Sequence, residues 1–120
     1  MQAEVKEIMI NGIIYVPANS ISVNTDGLQY VIARTCSAGV FAGYLESRVG
    51  QEVVLLNARR IWYWEGAASL SQLAMEGTSS PDKCKFPIAV LRVELLQTIE
   101  ILNCTETART SIESVAIWKK

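Results

Sequence analysis

The sequence predicts an α+β fold, a mostly antiparallel β-sheet with two short helices on one face. Three observations carry this. Runs of β-branched and aromatic residues recur along the chain, separated by short turns rich in Gly, Asn and Ser. Helical capping patterns occur only near residues 69–76 and 106–114. A chain of 120 residues that is 50% apolar has the length and composition for a single core.

The first element expected is a hairpin, Glu7–Ile10 with Ile13–Val16, turned by Asn11-Gly12 and ended by Pro17. Asn-Gly tolerates positive φ at both turn positions, and proline has no N–H to give to a ladder. Residues 18–27 are polar enough for a linker, so the chain divides into an N-terminal hairpin and linker (1–27) and a sheet domain (28–120). Within that domain, Leu28–Thr35, Val40–Leu45 and Glu52–Trp64 are strand candidates. The short connections at residues 36–39 and 48–51 imply an antiparallel meander, and Asn57-Ala58 is the expected site of a bulge. Ser69 and Gln72 have capping-box spacing before Leu70, Leu73 and Ala74, and Gly77 stands where a C-terminal cap belongs. Phe86–Val93 and Leu95–Asn103 read as further strands with a break near Glu94. Thr105 would cap a helix over 106–114 whose inner face is Ala108, Ile112 and Val115, and Ile117-Trp118 would return as a short strand.

Composition excludes several kinds of chemistry. Eleven Lys and Arg against twelve Asp and Glu leave a net charge of -1, with no global field for a nucleic acid polymer. The absence of histidine removes the usual general base and most zinc sites. Cys36, Cys84 and Cys104 have neither C-x-x-C spacing nor an even count. Carboxylates are scattered, and neither of the glycine-rich nucleotide-loop motifs occurs. No apolar run approaches the ~20 residues of a membrane helix, and the N-terminus lacks a signal-peptide core. The expectation is a cytoplasmic protein that binds without turnover, not an enzyme, and that uses no metal or cofactor.

The most informative segment is Asn57-Ala58-Arg59-Arg60-Ile61-Trp62-Tyr63-Trp64. In one continuous strand, Arg59 and Tyr63 share a face, while Arg60, Trp62 and Trp64 share the other. Each face then pairs a guanidinium with aromatic surface, a combination suited to a planar ligand carrying phosphate. The alternative is that the tryptophans are core and the arginines pair with Glu52 or Glu65. Arg109, in the first turn of the second helix, suits an anionic partner, with Glu106 as the alternative. Arg34 and Arg92 lie among strand residues and need partners if buried.

The strings Tyr30–Thr35, Ser37–Val40, Asn57–Trp64, Ala68–Ala74, Cys84–Phe86 and Thr105–Trp118 resemble a family of small phage and prophage proteins of unassigned function. In size, strand-rich body and Arg-aromatic content these proteins look like the Thoeris anti-defence sponges of phages. That resemblance implies a homo-oligomer in the host cytoplasm that sequesters a small, often cyclic, nucleotide immune signal. On that reading Arg59, Arg60 and Arg109 would take the phosphates, with Arg34 a further ligand-binding candidate, Trp62, Trp64 or Phe86 would stack the base, and Asn57 or Asn103 would bond its edge. The second functional reading is an oligomeric interaction module that blocks a host protein, since Trp, Tyr and Arg are also the residues of interface hot spots.

Overall fold

The computed structural model describes residues 8–10, 13–15 and 19–120. Strands β1 (Ile8–Ile10) and β2 (Ile13–Tyr15) pair antiparallel, Met9 opposite Ile14. Glu7, Asn11, Gly12, Val16 and Pro17, on which the hairpin expectation also rests, lie outside the described residues. The body is a five-stranded antiparallel sheet of β3 (Tyr30–Thr35), β4 (Val40–Val49), β5 (Glu52–Arg60), β6 (Val90–Leu95) and β7 (Thr98–Asn103), in the order β6-β5-β4-β3-β7. Helices α1 (Leu70–Glu76) and α2 (Glu106–Ser114) pack on one face. The fold is α+β, as the residue patterns predict. No helix among the described residues is long and apolar enough to cross a membrane.

The sheet curls. Strands β6 and β7 are joined by Leu96 and Gln97 alone, yet they form opposite edges of the sheet. Its two edges therefore meet at that corner, where Thr98 N–H donates to Gln51 O and Cys36 N–H to Gln97 O. The inside of the curl holds one core, with Val31, Ala33, Phe41, Val53, Leu55, Ala58 and Leu95. The outer face holds a second, where Tyr30, Ile32, Ala42 and Ile61 meet Leu73, Phe86, Ala108 and Ile112. Strand β3, flanked by β4 and β7, is buried on both faces over Tyr30–Ala33, which is why it reads as a continuous apolar run rather than an alternating one.

Both helices begin as their caps dictate. Ser69 Oγ accepts from Gln72 N–H at 3.1 Å, and Gln72 Oε1 accepts from Ala68 N–H at 2.8 Å. Thr105 Oγ1 accepts from Ala108 N–H at 3.1 Å and donates to Met75 O at 2.7 Å, tying the end of α1 to the start of α2.

The structure corrects several boundaries. Strand β5 ends at Arg60 rather than Trp64, because the chain leaves β4 there and Tyr63 bridges Lys85 instead. Strand β6 begins at Val90 rather than Phe86, since Phe86 turns into the outer core and bridges Ile117. Strand β4 continues to Val49 and leaves Gly50 and Gln51 as the turn. Described residues of the expected linker are woven into the body. Ser22 N–H donates to Cys104 O, Tyr30 N–H donates to Ser22 O, and buried Ser22 Oγ donates to Glu106 Oε2 at 2.7 Å.

Candidate functional site

The Asn57–Trp64 segment is shaped by a bulge. Asn57 has φ 49°, and the β4–β5 register shifts between Ala42 and Tyr44, so β5 carries an extra residue there. Before the bulge, Val53 and Leu55 face the inner core; after it, Ala58 does. This change of phase turns Arg59 toward the helices and Arg60 toward the inside of the curl. The two arginines lie on opposite faces, but the tryptophans follow neither face, because the strand has ended before them.

Arg59 is buried, 5% exposed. Its Nη1 donates to Ile112 O at 2.9 Å and Val115 O at 2.7 Å, its Nη2 to Phe86 O at 2.7 Å, and its Nε to Pro87 O at 3.1 Å. With a long fifth bond from Nη2 to Ala116 O at 3.5 Å, carbonyls at and just past the end of α2 and in the Phe86-Pro87 segment take all five N–H groups that a guanidinium has. Phe86 itself is fully buried, its ring 5.5 Å from the Arg59 guanidinium carbon. Burial lowers the Arg59 pKa, which the nearby Tyr30 and Glu113 partly offset.

The remaining sequence-predicted residues are dispersed. Arg60 lies over the Phe41 ring at 4.3 Å and donates to Ala38 O. Arg34 pairs with Glu100 at 3.0 Å, and Arg92 with Glu94 at 2.8 Å. Arg109 bonds Glu106, Nε to Oε1 at 2.8 Å, and lies 3.3 Å from Glu113. The Glu106 hydrogen bond is the main cause that raises the Arg109 pKa. Trp64 packs beside the outer core with its indole N–H on Ala67 O at 3.1 Å. Asn103 is exposed at the end of β7.

Three of the nine come together around one cleft of about 330 Å³. Asn57 and Arg59 line it with Tyr44, Ala89 and Glu113, and Arg109, which is not part of the lining, pairs with Glu113 at 3.3 Å. Tyr44 Oη donates to Glu113 Oε1 at 2.9 Å, and burial with that carboxylate pushes the Tyr44 pKa up to about 12. A carboxylate in the wall and an arginine already saturated by carbonyls make this cleft a poor seat for phosphate. Among the described residues no three His, Cys, Asp or Glu side chains gather as a metal-holding group.

A different surface gathers exposed aromatic rings around a lysine. Trp62 and Trp118 stack with ring centroids 6.4 Å apart and planes 9° from parallel. Lys85 Nζ sits 5.6 Å from the Tyr63 ring and 5.7 Å from the Trp118 ring. Trp62 is 63% exposed, Tyr63 44% and Trp118 38%. The backbone holds these rings in place. Lys85 N–H donates to Tyr63 O at 2.8 Å, and Trp118 N–H to Phe86 O at 3.0 Å. Arg59 then fastens the neighbouring carbonyls of Phe86, Pro87 and Val115 from below. Sequence reading singled out Trp62 here but not Tyr63, Lys85 or Trp118 as binding residues. The high local density of aromatics marks Tyr63, whereas nothing local brings residue 118 to residue 62.

No curated protein and no solved structure matches the chain. Residues 28–112, which span the sheet and nearly all of α2, match the model of a family described as Domain of unknown function (DUF6948), and the chain belongs to that family.

Proposed function

We propose that this protein is a non-catalytic interaction module that engages a protein partner through the Trp62–Tyr63–Trp118–Lys85 surface. The carrying observation is the stacked, solvent-exposed tryptophan pair flanked by an ammonium. Stacking fixes two large rings in advance, so little rotamer entropy remains to be lost on binding. Exposed Trp and Tyr in one rigid cluster is the composition of an interface hot spot. The partner that fits is an apolar surface with a carboxylate placed to meet Lys85. In a phage setting, implied by the family resemblance, that partner is a host protein in the cytoplasm.

The second reading, sequestration of a small nucleotide signal, is favoured by one feature. Trp62 offers ring surface for a base, and Lys85 offers a cation for phosphate. It is the weaker reading because Arg59 spends its donors on carbonyls, Arg34, Arg92 and Arg109 are each paired with a carboxylate of the chain, and tight binding of a phosphate requires several converging donors.

Thermal denaturation against a panel of linear and cyclic nucleotides separates the two, since a ligand held at 100 times its Kd stabilises by about 2.7 kcal/mol. The interaction-module reading predicts no shift with any nucleotide and retention of a host protein that Trp62→Ala abolishes. A nucleotide shift that disappears in Trp62→Ala would establish the sponge instead.

A further inference from the structure

We infer that the free edge of β6 is where two copies of this chain pair, antiparallel about a two-fold axis at Val93, joining two five-stranded sheets into one. Strand β6 hydrogen-bonds β5 on one side and ends the sheet on the other. Edges left to solvent are usually blunted by charged side chains, lysine above all, by proline or by a bulge. The strand Val-Leu-Arg-Val-Glu-Leu has no lysine or proline, keeps one register with β5 throughout, and carries as its only charges one arginine and one glutamate of opposite sign. The strand and its flanks also expose apolar side chains: Leu91 in the strand is 83% exposed, and Ile88 before it and Leu96 after it are 66% and 65% exposed. That edge suits a partner strand better than water.

Charge selects the partner. With the axis at Val93, Arg92 stands directly opposite Glu94 of the second copy, and the symmetry repeats the pair. Leu91 then faces Leu95, and Val90 faces Leu96. Other nearby registers fail. An axis at Arg92 sets Arg92 against its own copy, an axis at Glu94 does the same with Glu94, and an axis between residues 92 and 93 puts Leu91 against Glu94. Opposite charges across a ladder stabilise it, and like charges directly opposite destabilise it. In the single chain Arg92 and Glu94 already lie 2.8 Å apart on the outer face, half-exposed and within reach of a neighbour. A strand whose charges read as complementary when reversed is suited to isologous pairing.

Light scattering on the full chain tests this. The wild type should have the mass of two chains at micromolar concentration. Arg92→Glu and Glu94→Arg should each weaken association about tenfold or more, because each turns two symmetric attractions into repulsions. The double swap, Arg92→Glu with Glu94→Arg, should restore it. Far-UV circular dichroism should be unchanged in all three, and Leu91→Lys is a further probe at a side chain outside the cores. A monomeric wild type, a dimer indifferent to Arg92→Glu and to Leu91→Lys, or a double swap that stays monomeric would overturn the proposal.

Discussion

Arg59 and Arg60 are neighbours in sequence and differ in what surrounds them. The Arg59 guanidinium gives its hydrogen bonds to backbone carbonyls beside the buried Phe86 ring, whereas Arg60 lies across Phe41 at the mouth of the curl, partly open to water. Arg60→Ala removes a cation–π contact and one hydrogen bond, and should cost about 1 kcal/mol in urea unfolding. Glu106 gives a pH signature. Burial pushes its carboxyl up, but hydrogen bonds from Arg109 and Ser22 outweigh this and hold it below its ordinary value of 4.5. A folded-state pKa lowered in this way contributes stability that is complete above the ordinary value and lost as pH falls through the folded one. Glu106→Gln should therefore lower the melting temperature at neutral pH. It should also flatten the loss of stability on acidification below about pH 4.5; an equally steep acid limb would show that Glu106 is not the group responsible.

At the level of elements, the β5 bulge decides which arginine is buried. Asn57 occupies the left-handed region at φ 49°, where asparagine is tolerated and β-branched residues are not. Asn57→Gly should be neutral to slightly stabilising, while Asn57→Val should destabilise by ~1–2 kcal/mol, as chemical denaturation would show. Opposite the bulge, a Cβ on Gly43 would come 3.0 Å from both Ala58 Cα and Leu56 O, so Gly43→Ala should cost ~1–3 kcal/mol. Both helices, the meander of β3, β4 and β5, and the bulge itself were legible in local residue patterns, because caps, turns and alternation are local signals. The placement of β6 and β7 was not. Two strands joined by two residues ordinarily pair with each other, and only the curl of the whole sheet sets them on opposite edges. For the same reason Phe86, which stands in a β-rich run, reads as strand yet anchors the outer core.

Across the whole molecule, the Arg-aromatic string divides its work between inside and outside. Sequence places its cations and rings together, but the end of β5 at Arg60 sends Arg59 inward, Trp64 against the outer core and Trp62 into solvent. The surface that results draws on residues 62–63, 85 and 118, a grouping made by tertiary contacts that no spacing rule reveals. Arg59 is a positioning residue in this arrangement, fastening the segments that present Lys85 and Trp118. The measurement that tests this division most directly is urea unfolding of Arg59→Ala beside Trp62→Ala. Removing Arg59 strips several charge-assisted hydrogen bonds from buried carbonyls and should cost about 3 kcal/mol or more. Removing Trp62 loses one exposed ring stack and should cost about 1 kcal/mol or less. The opposite order, with Trp62→Ala the more damaging and Arg59→Ala nearly neutral, would contradict the account: the tryptophan would be part of the fold, and the arginine free for a ligand.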